Sequence, residues 1–269
     1  MVVDYILISL GLSDRLKVKG GVWAQVNAGI GDRIAFGAIR RHLADPAMPL
    51  VELNRLASAI ERLAAAPQEN YVDAHFRFNL LGHHWLLRAC DGDREVRKEM
   101  EDSRDNSGVG SVPALRDAYA WRLFVARWLA LDNADARRIA SVADRPPVEW
   151  MQELRPLGEY NSSPETRRFW CLIYVAQHRL DLAMARVALA VSRFAEARGR
   201  WPRNLDELAP EYLETIPVDP WTRRPLSIRG MSGDAVISAP ELDKEIEAAF
   251  SHSQFKASEW RAWTVRRRK

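Results

Sequence analysis

Apolar residues recur three and four apart through most of the first two thirds of the chain, and the breaks fall at glycine, proline and charge. Val2, Val3, Ile6, Leu7, Leu10 and Leu12 fit the inner side of a first helix running from about Val3 to Lys17. Lys17 and Lys19 would sit near its C-terminal dipole, and Gly20 and Gly21 follow. A second helix is expected from Val22 to Leu43, with Val26, Ile30, Ile34, Ala38 and Leu43 as its apolar stripe and a stop before Asp45 and Pro46. Gly29, Gly31 and Gly37 lie inside it, each costing about 1 kcal/mol relative to alanine, which implies a neighbouring helix in close contact. A third helix from Pro49 to Ala65 repeats Leu53, Leu56, Ile60 and Leu63. A helix after Pro67 carries Phe76, Leu80, Leu81, His84 and Leu87 and ends near Gly92.

The pattern breaks between Arg94 and Gly110, where a charged half gives way to Asn, Ser and Gly. This reads as an exposed helix entering a loop, with the stretch 102–113 expected to be mobile. Trp121, Phe124, Val125, Trp128 and Leu129 mark a further helix, and the proline-rich stretch from Asp144 to Ser163 connects it onward. Ser163, Pro164 and Glu165 follow the order of an N-cap, an N1 proline and a first-turn acid. The helix they open is expected to run to Arg198 and stop at Gly199, roughly 50 Å at 1.5 Å per residue. Phe169 to Ala176 is apolar on every side, so this half of the helix should be the most buried part of the molecule.

Beyond Gly199 the prolines at 202, 210, 217, 220 and 225 leave room only for short elements. These are a helical turn from Leu205 to Leu208 capped by Asn204, and a hairpin of Leu226–Arg229 with Ala235–Ser238 across Gly230 to Asp234. One more helix fits between Pro240 and Phe250. In physical terms Gly199 permits a positive φ at the helix end, Trp201 can fold back on the helix and Pro202 forbids its continuation. Pro217 and Pro220 hold Val218 and Asp219 extended, and Trp221 offers a large apolar surface for packing.

The run from Arg193 through Gly199, Trp201 and Pro202, then Leu205-Asp-Glu-Leu208, Pro210-Glu-Tyr-Leu213, Ile216-Pro-Val-Asp219-Pro220-Trp221 and Pro225 to Ile228, resembles the C-terminal half of the major pseudopilin of type II secretion. It is also similar to a group of uncharacterised, planctomycete-type bacterial proteins in which a helical region precedes the same cassette; there the likeness extends to Gly20–Ile60 and on to Pro67. The resemblance implies a long helix leading into a small antiparallel sheet, with Gly199, Trp201, Pro202, Asp219, Pro220 and Trp221 as structural residues. Two features depart from a pseudopilin. The glycine, phenylalanine and glutamate of its processed N-terminus are missing, and Ser238-Ala-Pro-Glu241-Leu-Asp243 replaces an acidic, glycine-rich calcium loop, whereas calcium takes six to eight oxygens. A pilus subunit and a bound metal are therefore not expected.

The resulting fold class is mainly α: a multi-helix bundle or helical array with one long C-terminal helix followed by a small pseudopilin-like β-hairpin cassette. The expected divisions are 1–162 helical, 163–250 long helix plus cassette, and 251–269 a basic aromatic tail. Charge supports the last boundary. From Ser251 onward there are six basic residues and one acid, a net +5, which leaves −2 for the preceding 250 residues in a chain of net charge +3. With 269 residues and 47% apolar content the chain can bury a sizeable core. Cys90 and Cys171 supply neither a disulfide framework nor a zinc site and read as buried thiols, with a single bridge between them as the alternative. Val2 to Leu12 is too short to span a bilayer and, with Asp4 and no basic n-region, does not read as a signal peptide, so the chain is expected to be soluble as written.

No reaction is named by these residues. His83 and His84 are adjacent and cannot both ligate one metal from a regular helix; Gly29-Ile-Gly31 lacks the third glycine and the strand of a dinucleotide site; Gly230 to Gly233 is not a nucleophile elbow; Asp206 and Glu207 read as first-turn charges. Most of the ten tryptophans suit core packing, as with Trp121, Trp128, Trp170 and Trp201. Trp260 and Trp263 differ, lying among Arg261, Arg266, Arg267, Arg268 and Lys269, and these seven residues are the candidate anion-binding set. The expected function is that of a non-enzymatic helical scaffold with a protein partner and no cofactor, associated with the cell envelope. The alternative is a binder of nucleic acid or acidic lipid through the tail.

Overall fold

A computed structural model describes residues 2–19, 22–45, 48–65, 164–231, 233–242 and 261–267, with a few isolated positions elsewhere. Over these residues the protein is mainly helical with a small three-stranded antiparallel sheet. The helices are α1 (Val2–Lys19), α2 (Val22–Leu43), α3 (Leu50–Ala65) and α4 (Pro164–Arg198). A 3-10 turn (Leu205–Leu208) follows, then β1 (Ser227–Gly230), β2 (Asp234–Ser238) and β3 (Ala262–Arg266). The expected helices from Pro67 to Gly92, around Trp121 and from Pro240 to Phe250, the loop at 102–113 and the connection 144–163 lie outside the described residues or almost wholly so.

One apolar cluster runs through all of these elements. Phe36, Ile39 and Leu43 of α2 and Leu53, Leu56 and Ile60 of α3 belong to helices that pack on α4, which contributes Leu180, Met184, Val187 and Val191, while Val3, Ile6 and Leu10 come from α1, which packs on α2 and α3. The stripe of α3 is the one its periodicity predicts, with Leu63 half-buried at its end. That of α2 is not. Ile30 and Ile34 are exposed, and the helix instead buries Ala28, Asp32, Ala35, Phe36, Ile39 and Leu43, a face rotated from the predicted one. On α1, Leu12 is likewise outward and Ser13 inward.

Of Gly31 and Gly37, the interior glycines of α2 whose surroundings are described, Gly31 is the close-contact position. A Cβ there would stand 2.6 Å from Ser13 Oγ, and Ser9 Oγ donates to the Gly31 carbonyl at 3.4 Å. Gly37 has no such neighbour. Arg55 binds Asp4 at 2.7 Å and Glu52 at 2.9 Å, and Arg186 binds Glu61 at 2.9 Å, so α3 is tied by ion pairs to α1 and to α4.

α4 ends where the sequence predicts. Gly199 has φ +64°, its amide donates to the Ala195 carbonyl at 3.0 Å, and Pro202 is buried beyond it. Asn204 caps the 3-10 turn by accepting from the Glu207 amide at 3.2 Å. The predicted hairpin forms with Ser227 opposite Ser238 and Gly230 opposite Ala235. Gly230 carries no Cβ because one would come within 3.2 Å of Trp201 Cβ.

The sheet has a third strand. β3 pairs antiparallel with β2, Asp234 opposite Arg266 and Ser238 opposite Ala262, and it packs on both α4 and α2. Its inward residues Trp263 and Val265 join Ala235 and Ile237 in the core. The segment expected as a free basic tail is therefore, over Arg261–Arg267, an integral part of the fold.

Candidate functional site

Seven polar or charged residues are buried among the described residues, and four of them meet where α2 crosses α4: Asp32, Gln177, His178 and Asp181. On α2, Asp32 shares the inward side with Ala28, Ala35 and Phe36, one turn before Phe36. On α4, His178 and Asp181 are three apart and Gln177 and Asp181 four apart, spacings that bring side chains together on one side of a helix. His178 Nδ1 lies 2.8 Å from Asp32 Oδ2, with the two side chains 8% and 2% exposed. The ring of Phe36 meets that of His178 edge to face at 5.6 Å.

Asp181 is 6% exposed. Its pKa is pushed up to about 7. Burial is the main cause, because a carboxylate loses its hydration there; the Gln177 hydrogen bond opposes it, the Asp32 charge adds to it, and the charges of Arg33 and Arg40 oppose it again. Gln177 Oε1 is buried with no hydrogen-bond partner among the described residues. The cluster thus concentrates two carboxyls, an imidazole and an amide in a seam otherwise built of Ala, Leu, Phe and Met. Among the described residues no group of three His, Cys, Asp or Glu side chains is arranged to hold a metal ion.

None of these four residues is in the candidate set read from the sequence. A signal was present: Gln177-His178-Arg179-Leu180-Asp181 places polar residues in the long helix directly after its all-apolar stretch Phe169–Ala176, where a polar side chain that is buried must find a partner. The partner on α2 was hidden, because Asp32 lies off the stripe that Ile30 and Ile34 suggested.

Asp219 is fully buried. Its Oδ1 accepts from the Trp221 amide at 3.0 Å, and its Oδ2 accepts from Thr222 Oγ1 at 2.6 Å and from Arg261 Nη2 at 2.6 Å. Pro220 is half-buried between them, and Trp221 has no exposed surface. Trp201 is half-buried against the core, next to Gly230.

The candidate anion-binding set divides. Arg261 is 7% exposed and spent on Asp219 and the Pro240 carbonyl, and Trp263 is buried, so neither faces a ligand from outside. Arg266 and Arg267 are exposed, the former 3.8 Å from Asp234 Oδ2, and with Ser192, Glu196, Gly199 and Trp201 they border a hollow of about 210 Å³. Trp260, Arg268 and Lys269 lie outside the described residues.

A third feature is on the outer side of α1 and α2. Helices that pack side by side with two residues between them run antiparallel, and Ser9 and Ser13 against Gly31 set their register. That register brings Leu12 level with Ile30 and Ile8 level with Ile34. With Val3, Ile6 and Leu10 inward on one helix and Asp32, Phe36 and Ile39 inward on the other, Tyr5, Ile8, Leu12, Ile30 and Ile34 share the solvent side, 45 to 68% exposed.

Among the described residues no helix is long and apolar enough to cross a membrane. Compared with protein-family models, with curated proteins and with solved structures, the chain matches none significantly.

Proposed function

We propose that this chain is a non-enzymatic helical scaffold that docks a protein partner on the outer side of the α1–α2 pair, with the pseudopilin-like segment after α4 serving association with the cell envelope. In this reading α1–α4 belong to a multi-helix bundle. The observation that supports it is the row of Tyr5, Ile8, Leu12, Ile30 and Ile34, five large apolar side chains gathered on one solvent-facing side. Contiguous apolar surface of this kind marks interaction sites in water-soluble folds. Side chains spaced three and four apart on two adjacent helices form ridges and a groove that suit the apolar side of a partner helix.

The test compares the full chain with Ile8→Ser/Ile34→Ser in cross-linking and co-purification from cells. Both positions are exposed, so stability should change by less than about 0.5 kcal/mol per site. A discrete partner recovered at fixed stoichiometry with the wild type and lost with the double variant supports the reading. Equal recovery with both proteins overturns it.

A second reading, attachment to an anionic surface, is supported by the exposed Arg266 and Arg267, which border the same hollow as Trp201. It requires affinity for nucleic acid or acidic vesicles that falls steeply with salt and is lost in Arg266→Ala/Arg267→Ala.

A further inference from the structure

We propose that the Asp32–His178–Asp181 cluster is a proton-operated latch: α2 closes on α4 while the Asp181 carboxyl holds a proton, and the seam loosens when that proton leaves. The geometry carries the argument. Asp181 is 6% exposed on a helix, α4, that packs on α2, and both helices contribute to the apolar core, Leu180 and Met184 from α4 and Phe36 and Ile39 from α2, so a carboxylate formed there has little water to solvate it. The nearest opposite element contributes Asp32, whose charge repels a second one, and Asp32 is already engaged with His178 at 2.8 Å. The cations that α2 brings near are Arg33, which is exposed, and Arg40, which is half-buried. From α3, Glu61 is engaged with Arg186 further along α4, and Arg179 on α4 itself is half-buried. A charge on Asp181 is therefore relieved most readily by opening the α2–α4 seam to water.

Asp181 has its pKa near 7, against an ordinary value of 3.8, which puts the transition in the range cells experience. Opened, the carboxyl ionises at its ordinary pKa. Closed, it stays protonated to near neutrality. The opening equilibrium thus rises by close to tenfold per pH unit between these two values and flattens above the upper one.

Hydrogen exchange on the full chain at about pH 5, 6.5 and 8, corrected for the intrinsic pH dependence of amide exchange, reads this directly. The latch requires protection over 28–43 and 176–191 to fall by more than tenfold across the series, while 234–238 in the sheet changes little. In Asp181→Asn, which cannot ionise, the fall should vanish, and Asp181→Leu serves the same comparison with an apolar side chain. Protection independent of pH in the wild type overturns the proposal without recourse to any variant. An equal slope in the wild type and Asp181→Asn also overturns it.

Discussion

At Gly31 a single hydrogen stands where any other side chain would meet Ser13 Oγ at 2.6 Å. Gly31→Ala gains about 1 kcal/mol of helix propensity but crowds a buried contact at a cost of about 1–3 kcal/mol, so urea unfolding should show a net loss of about 1 kcal/mol. Because the Ser13 Cβ is 4.0 Å away, Ser13→Ala removes the clash, and Ser13→Ala/Gly31→Ala should be at least as stable as the wild type. The Asp219–Arg261 pair behaves in the opposite sense. With side chains 0% and 7% exposed, removing one partner strands the other charge away from water. Asp219→Asn should cost about 3–5 kcal/mol, and Asp219→Leu/Arg261→Met less than either single change, as a double-mutant cycle would show.

At the scale of the element, the seam between α2 and α4 sets a stability profile that runs against the usual one for acidic groups. A carboxyl raised from 3.8 to about 7 holds its proton better folded than unfolded. Its contribution is therefore fully present below the unfolded value and is lost as pH climbs through the folded one. Melting temperatures of Asp181→Asn relative to wild type should diverge with rising pH, the variant gaining a few kcal/mol by about pH 8 and little or nothing near pH 4. Element boundaries were largely legible in the sequence, since glycine, proline and capping residues act locally. Gly199 ends α4, and Asn204 caps the turn after it. Faces were less legible. Ile30 and Ile34 look like core residues until His178, 146 positions after Asp32, is brought beside Asp32 and turns that side of α2 inward. In β3 the neighbouring run of arginines masks an alternation of period two, Ala262, Thr264 and Arg266 outward with Trp263 and Val265 inward.

For the whole molecule, β3 decides how the parts hold together, because it touches α2, α4 and β2 at once. A chain ending at His252 loses Trp263 and Val265 from the core and leaves Asp219 without Arg261. Burial of an aromatic and of an ion-pair partner each amount to several kcal/mol, comparable with the roughly 5–15 kcal/mol stability of a whole domain. Calorimetry should accordingly show the truncated chain melting at much lower temperature or without a cooperative transition, whereas removal of a free tail would leave the transition unchanged. The place of β3 in the chain has one more effect. A polypeptide emerging from the ribosome makes the helices first, and α4 must wait with part of its apolar side uncovered until the strand after β2 arrives. The nascent protein therefore spends that interval with an open hydrophobic flank, the stage at which a chaperone would engage it and at which a stalled translation product would be sent for degradation.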